Sequence, residues 1–206
     1  MTRSLIIIGG KAGVKIARAY ADDSFDQFYG YNNFTDDLSY LGIKKINSVE
    51  EFSEVISCHN SEYFIATGDN IERKKITFSI SDHTKKVPYT IIHSTAEIIG
   101  RFDIGPGSLI CANTTLNLCK SIGSGCIVNT NSVIEHDCVL HDFSQVAPGA
   151  IMTGYCELGD CSFLGAGSVM NPNLVVGTNV VIGSQSVVTR NIQDFTRVKG
   201  IPANEY

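Results

Sequence analysis

The chain has 206 residues, of which 43% are hydrophobic, so it can bury one or two modest cores. Its net charge of −5 and its lack of Lys/Arg clusters argue against binding to nucleic acid or to anionic membranes. The first apolar run, Leu5 to Ile8, is too short for a signal-peptide core or a membrane span, and the seven cysteines contain no CxxC pair. These features predict a cytoplasmic protein without a disulfide framework.

The first ninety residues alternate apolar runs with helical patterns, which is typical of a small parallel α/β sheet. The predicted strands cover residues 5–10, 28–34 and 63–67, and the predicted helices cover residues 12–21, 48–57 and 71–80. We expect this domain to extend over residues 1–88, because a different pattern begins after Pro88. The turn Gly9-Gly10-Lys11 can present backbone N–H groups to a phosphate at a helix N-terminus, although it is not a complete GxGxxG motif.

A repeat of six residues dominates the rest of the chain. Every sixth residue from Ile92 to Val188 is Ile, Leu, Val or Met, over seventeen consecutive positions. If about half of all residues were apolar, such a run would have a chance on the order of 10⁻⁵. A period of six fits neither a helix nor a plain strand, but it fits a triangular coil whose three short sides each bury one aliphatic side chain. The sequence therefore predicts a parallel β-helix over residues 89–206, with three hexads in each coil.

Several motifs stand along both predicted domains. They are Ile8-Gly9-Gly10, the stretch 30–37, Ala66-Thr67-Gly68-Asp69-Asn70 with Arg73, Ile134-Glu135-His136-Asp137-Cys138, Gly165-Ala166-Gly167 and Gly200-Ile201-Pro202-Ala203. With the α/β domain joined to the hexapeptide repeat, these motifs resemble the bacterial family of nucleotide-aminosugar N-acetyltransferases and sialic acid O-acetyltransferases. The resemblance implies a Rossmann-like N-terminal domain, a left-handed β-helix and a homotrimer. It also implies acetyl-CoA as cosubstrate, a nucleotide-linked amino sugar as acceptor and no metal.

The resemblance further implies which residues bind the two substrates. The N-terminal domain would hold the sugar nucleotide, and the β-helix would hold acetyl-CoA between neighbouring subunits. The implied substrate-binding residues are Gly9, Gly10, Lys11, Asp36, Asp37, Gly68, Asn70 and Asn129. The implied acetyl-CoA residues are Gln145, Gly154, Gly165, Ala166, Gly183 and Pro202, with Arg190, Arg197 and Lys199 as candidates for the CoA phosphates. Two positions depart from the family, since Gly13 stands where a His is usual and Gln145 where a second His is frequent.

One hexad carries the candidate general base. Acyl transfer to an amine needs a base for the proton of the attacking nitrogen and a donor for the oxyanion that forms. His136 is flanked by Glu135 and Asp137, and a carboxylate bonded to one ring nitrogen fixes the tautomer and supports the imidazolium. We predict His136 as the base, Asp137 as its partner and Glu135 as a further catalytic carboxylate, with His141 as a weaker candidate. The hexad also resembles that of acyltransferases acting on nucleotide-linked glucosamine in lipid A assembly.

Three other functions stay open on the sequence. The same fold and base would serve O-acetylation of a sialic acid, although the α/β domain favours a nucleotide-linked acceptor. The spacing of His136 and His141 resembles the ligand pair of β-helix zinc lyases of the carbonic anhydrase type, but their third His has no counterpart near Gly100. A non-enzymatic trimeric scaffold would bind no acetyl-CoA. The sequence favours N-acetylation of a nucleotide-linked 4-amino deoxysugar, with UDP as the first nucleotide considered, by direct transfer in a ternary complex.

Overall fold

The computed structural model describes residues 2–31 and 37–206. The chain divides into two compact units, Met1–Ile91 and Ile92–Tyr206. Asp36 and the last residues of the strand predicted over 28–34 lie outside the described residues. Within the described ranges, no helix has the length and apolar character that crossing a bilayer requires.

The first unit is a parallel four-stranded sheet with helices between the strands, in the order β3-β2-β1-β4. Its elements are β1 Ser4–Gly9, α1 Lys11–Tyr20, β2 Gln27–Tyr31, a 3₁₀ turn Ser39–Leu41, β3 Ile43–Ile46, α2 Val49–Ser57, β4 Ser61–Ala66 and α3 Asn70–Thr84. The predicted alternation of strands and helices is confirmed. The sequence did not predict β3, because this edge strand buries only its two terminal residues and exposes Lys44 and Lys45.

Capping side chains mark the N-termini of two of the three helices. The Ser48 hydroxyl caps α2 by accepting from the Glu51 N–H at 3.1 Å, and the Asp69 carboxylate caps α3 by accepting from the Glu72 N–H at 2.8 Å. Helix α1 instead follows Gly10 without a side-chain cap. Glycine has no side chain, so Gly10 itself supplies no cap to the first turn of α1.

The second unit is a parallel β-helix built from three sheets, which form three faces. The first face contains Asp103–Ile104, Ser121–Ile122, Val139–Leu140, Glu157–Leu158 and Val175–Val176. The second face contains Ile91–Ile92, Leu109–Ile110, Ile127–Val128, Gln145–Val146, Phe163–Leu164, Val181–Ile182, Arg197–Lys199 and the antiparallel strand Asn204–Glu205. The third face contains Glu97–Ile99, Thr115–Asn117, Val133–Ile134, Ile151–Met152, Val169–Met170 and Val187–Val188. Paired residues are eighteen apart, as Ile134 and Met152 show, so each coil consists of three hexads.

The second residue of each two-residue strand points into the core. From Ile110 to Val188 these aliphatic residues are at most 2% exposed, and burying each one contributes roughly 1.5–3 kcal/mol. Ile92 and Ile98, at the predicted inward positions of the first coil, are instead 43% and 38% exposed. A terminal coil has a neighbouring coil on one side only, so its pattern predicts burial less well.

Small polar residues fill the inner corners of the coil. The Ser162 hydroxyl donates to the Gly177 carbonyl at 2.6 Å, and the Cys138 thiol donates to the Thr153 carbonyl at 3.1 Å. Burial raises the pKa of Cys111 and of Cys119 to about 12, so both thiols stay protonated at neutral pH. These cysteines pack as small apolar residues, as the repeat predicts.

The backbone turns through the left-handed region at each corner. The turning residue lies three positions after the aliphatic one, and Gly or Asn, which tolerate positive φ, occupies most of these positions. The glycines and asparagines are Gly107, Asn113, Gly125, Asn131, Gly149, Gly167, Asn173 and Asn179. The same series also places Asp137, Phe143, Tyr155, Cys161 and Gln185 at positive φ. Aspartate tolerates positive φ much as asparagine does, whereas the other four residues adopt a conformation that their side chains do not favour.

Candidate active site

His136 and Asp137 form the corner between the third and the first face. The strand Val133–Ile134 ends just before them, and Asp137 turns the chain with a φ of 59°. The Asp137 carboxylate lies 2.9 Å from His136 Nδ1, and both side chains are about half exposed. A carboxylate on Nδ1 holds the proton there and leaves Nε2 free to accept one. The predicted base and its partner are thus brought together at an accessible corner.

The next coil forms the floor and one wall of this site. A Cβ added to Gly154 would lie 2.6 Å from His136 Nε2 and 2.7 Å from its Cε1, so any larger residue here would displace the ring from its present position. The Tyr155 ring stands perpendicular to the imidazole, with the ring centroids 5.1 Å apart. The Gly154 N–H has no hydrogen-bond partner within the described part of the chain. An N–H of this kind beside a base can bind a developing oxyanion.

The structure gives Glu135 a partner other than His136. Asn117, one coil earlier, donates to the Glu135 carboxylate at 2.8 Å. His141 lies at the corner between the first and the second face, where its Nε2 is 3.4 Å from the Glu157 carboxylate. Of the predicted catalytic group, Asp137 therefore contacts the His136 ring and Glu135 is bonded away from it.

The predicted base and several of the residues predicted for acetyl-CoA and sugar lie at two corners of the β-helix. His136 and Gly154 lie at the corner that follows the third face. Asn129, Gly165 and Gly183 lie at the corner that precedes it, each directly after a strand of the second face. The two groups stand at opposite ends of the third face of one chain. A single chain thus carries one half of the predicted site at each corner.

Contacts within the coil account for some of these residues. The Asn129 amide oxygen accepts from the Thr130 N–H at 2.8 Å. A Cβ on Gly165 would lie 2.5 Å from the Ile182 carbonyl oxygen, and one on Gly183 would lie 2.9 Å from the Lys199 Cβ. Stacking of the coils therefore requires glycine or a shift at both positions, whether or not a ligand approaches. Ala166, beside Gly165, accepts from the Gln185 N–H through its carbonyl.

Gln145 and the C-terminal residues complete the predicted acetyl-CoA set. Gln145 points outward from the second face, and its Oε1 atom is buried with no hydrogen-bond partner in the described ranges. Pro202 is exposed between the two strands of the C-terminal hairpin. Among the basic candidates, Arg190 donates to the Asn204 side chain at 3.1 Å, Lys199 lies over the Tyr206 ring, and Arg197 is exposed.

Several residues of the first unit that were predicted to bind the sugar nucleotide lie at one edge of the sheet, at the carboxyl ends of β1 and β4. Gly9 ends β1, Gly10 precedes Lys11 at the start of α1, and Gly68 follows β4. Among the described residues, a Cβ at Gly10 or at Gly68 would meet nothing within 4 Å, so both positions border open space. Ligands of open parallel sheets bind at such an edge.

Two other residues predicted to bind the sugar nucleotide have contacts within the chain. The Asn70 side chain is buried and accepts from the buried Arg73 guanidinium at 2.7 Å, and that guanidinium also donates to the Thr67 carbonyl at 3.0 Å. The Asp37 carboxylate accepts from the Ser39 N–H and hydroxyl, and these hydrogen bonds hold the pKa of Asp37 below its usual range. Asn70 and Arg73 therefore stabilise the loop after β4 through buried hydrogen bonds.

Close packing explains why position 13 is a glycine. A Cβ at this position would overlap the carbonyl oxygen of Ala66, because α1 lies directly against the end of β4. A histidine cannot occupy this place without moving the helix. The departure at Gly13 thus follows from the close approach of α1 and β4.

The described residues contain no group of three His, Cys, Asp or Glu side chains placed to hold a metal ion. His136 and His141, the pair that resembles zinc ligands, each contact a carboxylate from a different part of the coil, Asp137 and Glu157 respectively.

Known proteins share both the repeat and the whole fold. A family model described as bacterial transferase hexapeptide (six repeats) matches residues 155–190. The acetyltransferase domain of PglB from Neisseria gonorrhoeae FA1090, in complex with acetyl coenzyme A, is similar over 100% of both chains, with 25% identity and a TM-score of 0.91. A variant of GDP-perosamine N-acetyl transferase from Caulobacter crescentus, in complex with CoA and GDP-perosamine, is 25% identical, with a TM-score of 0.88 over 98% of this chain and 96% of its own. WeeI from Acinetobacter baumannii AYE, at 24% identity, shares the fold over 98% of this chain and 100% of its own, with a TM-score of 0.82.

The hexapeptide coil, the His136–Asp137 corner and these similarities define the chain as an acyltransferase. It fits the family of nucleotide-aminosugar N-acetyltransferases, in which a Rossmann-like α/β domain precedes a left-handed parallel β-helix. The family and the fold class predicted from the sequence are therefore confirmed.

Proposed function

We propose that this protein transfers the acetyl group of acetyl-CoA to the amino group of a nucleotide-linked 4-amino deoxysugar. The observation that carries the proposal is the His136–Asp137 pair standing over Gly154 at an accessible corner of the β-helix. The similar proteins support the two substrate classes, since one is in complex with acetyl coenzyme A and another with CoA and GDP-perosamine. UDP and GDP are both candidates for the nucleotide.

The corner supplies the groups that the reaction needs. The amine attacks the thioester carbonyl carbon while His136 Nε2 accepts its proton, and Asp137 stabilises the imidazolium without taking the proton itself. The Gly154 N–H donates to the oxyanion of the tetrahedral intermediate. When the intermediate collapses, the C–S bond breaks and the imidazolium returns the proton to the CoA thiolate. The cysteines of the β-helix are buried, which favours direct transfer over an acyl-cysteine intermediate.

A homotrimer would join the two halves of the predicted site. Outward-pointing residues on the second and third faces are mostly apolar, whereas the first face carries Asp103 and Glu157 outward. The apolar outward residues are Leu109, Ile127, Phe163 and Val181 on the second face and Val133, Ile151, Val169 and Val187 on the third. Two apolar faces and one polar face suit a threefold ring, in which each chain meets two neighbours. A neighbour's glycine-lined corner and Gln145 would then approach the His136 corner.

The sheet edge of the first unit is proposed to hold the sugar nucleotide. Among the described residues, Gly10 and Gly68 border open space there, and the N-terminus of α1, whose cap residue Gly10 has no side chain, faces the same edge. Backbone N–H groups at a helix N-terminus bind phosphate oxygens, so the diphosphate of the acceptor sugar nucleotide suits this position. Lys11 adds a positive charge at the first residue of α1.

A mass-spectrometric endpoint assay tests the proposal. The protein is incubated with acetyl-CoA and one acceptor at a time. The acceptors are a UDP-linked 4-amino sugar, a GDP-linked amino sugar, a dTDP-linked amino sugar and free sialic acid. Gain of one acetyl group on a nucleotide-linked amine supports the proposal and identifies the nucleotide. Acetylation of sialic acid alone moves the acceptor to a hydroxyl, and transfer to none of them, without acetyl-CoA binding, rejects the proposed activity.

We expect Gly154→Ala to lower kcat by about 10–100-fold, because the added methyl group displaces the ring whose position sets the reaction geometry. The added Cβ would lie 2.6 Å from His136 Nε2, and its three nearest neighbours are all atoms of the His136 ring. Steady-state kinetics and a thermal melt measure the effect on turnover and on folding.

Gly159→Ala is the matched control for this substitution. Its Cβ would meet the Gly177 backbone, 2.5 Å from the carbonyl carbon, so it strains the coil rather than the site. This variant should melt at a lower temperature and keep its kcat when assayed well below that temperature. Equal losses of kcat in both variants would contradict the role of Gly154 beneath the base.

A further inference from the structure

Tyr155 is an aromatic residue in a place where the coil usually has glycine or asparagine. It turns the chain at a φ of 61°, and its side chain is 56% exposed. Asn173 occupies the same place one coil later. Phe143, the other aromatic residue of the six-residue series, is 2% exposed, so burial compensates for its backbone conformation. Tyr155 lacks that compensation, and a disfavoured conformation kept at an exposed corner points to a function.

The contact that Tyr155 makes is with the His136 ring. The two rings are perpendicular, and their centroids lie 5.1 Å apart, which is a favourable edge-to-face arrangement. The Tyr155 N–H also donates to the His136 carbonyl at 3.0 Å, so its backbone and its ring are both tied to the same residue. An exposed aromatic ring is thus fixed against the group proposed as the general base.

The other contacts of His136 do not fix the plane of its ring. The hydrogen bond to Asp137 holds Nδ1 at 2.9 Å, but a single bond between two half-exposed side chains still allows the imidazole to tilt about χ1 and χ2. Gly154 lies on one side of the ring, where a Cβ would be 2.6 Å from Nε2. A second surface is needed to stop rotation in the other direction. The perpendicular Tyr155 ring supplies that surface.

We propose that Tyr155 is a positioning residue, whose ring holds the plane of the His136 imidazole so that Nε2 stays directed at the attacking amine. The proposal rests on the proposed function, because it needs His136 to act as the base. It assigns Tyr155 no contact with either substrate. Without the ring, the imidazole spends less time in the productive orientation, and small misplacements of a catalytic group cost up to about 10²-fold in rate.

Two substitutions test this role. Tyr155→Asn removes the ring and introduces the residue that Asn173 shows to suit the same backbone. We expect kcat to fall about 10–100-fold, KM for acetyl-CoA to stay within about twofold, and the melting temperature to stay or rise. Tyr155→Phe keeps the ring and should keep kcat within about threefold. A lower melting temperature with unchanged kcat in Tyr155→Asn, or equal losses in both variants, would overturn the proposal.

A double-mutant cycle separates positioning from direct substrate contact. If Tyr155 acts through His136, Tyr155→Asn should not lower the residual rate of His136→Ala any further. An additional loss in that background would show that Tyr155 touches substrate and would overturn the proposal. The proposed function fails in a different way, since His136→Ala would then turn over normally before any second substitution is made.

Discussion

Replacing His136 with alanine is expected to lower kcat by about 10²–10⁴-fold, with a much smaller change in KM for acetyl-CoA. The imidazole is the accessible base at the corner, with Asp137 at 2.9 Å from Nδ1 and Nε2 above Gly154. Without it, the attacking nitrogen must lose its proton to water. The side chain is about half exposed, so its removal leaves no internal cavity and the melting temperature should change little.

His141→Ala is the matched control, because His141 is five residues away and exposed to the same extent. It contacts Glu157 at the corner between the first and the second face, away from Gly154. Its kcat should stay within about twofold of the unsubstituted protein. If His141→Ala lost turnover and His136→Ala kept it, the assignment of the base would be wrong.

The period of six predicted most of the second unit, because one rule repeats in every coil. A coil of eighteen residues also places residue 117 beside 135 and residue 136 beside 154. The Asn117–Glu135 hydrogen bond and the position of Gly154 beneath His136 were therefore within reach of the sequence. Gly and Asn stand three residues after most of the buried aliphatic positions, and this spacing likewise indicates corners with positive φ.

Side-chain directions could not be predicted from the period. Glu135 and Asp137 flank His136 equally in sequence, and the eighteen-residue spacing does not show which carboxylate contacts the imidazole. In the structure it is Asp137. The edge-to-face contact of Tyr155 depends on rotamers that no spacing specifies. The loop after β4 is similar, because the buried Arg73 that supports it looks like a surface cation in the sequence.

Replacing Ile151 with glutamate is expected to separate the proposed trimer into single chains of 22.3 kDa and to lower activity by roughly 10²-fold or more. Ile151 lies in the middle of the third face, and its strand pairs with those of Val133 and Val169. A carboxylate at this place would be buried without a partner between neighbouring chains, which costs several kcal/mol at each interface. Sedimentation velocity measures the assembly, and the acetyl-transfer assay measures the activity.

Val175→Glu is the control on the first face, where Val175 is 45% exposed and its strand pairs with that of Glu157. This variant should sediment as three chains and keep its activity, because the polar face is proposed to meet solvent. The two variants carry the same added charge, so a difference between them reports the face and not the charge. Loss of activity in Ile151→Glu with an unchanged assembly would contradict the prediction that the substitution acts by separating the chains. A single-chain Ile151→Glu with full activity would show that His136 and Gly154 act without a neighbouring chain. The proposal that two chains combine to form each active site would then be wrong.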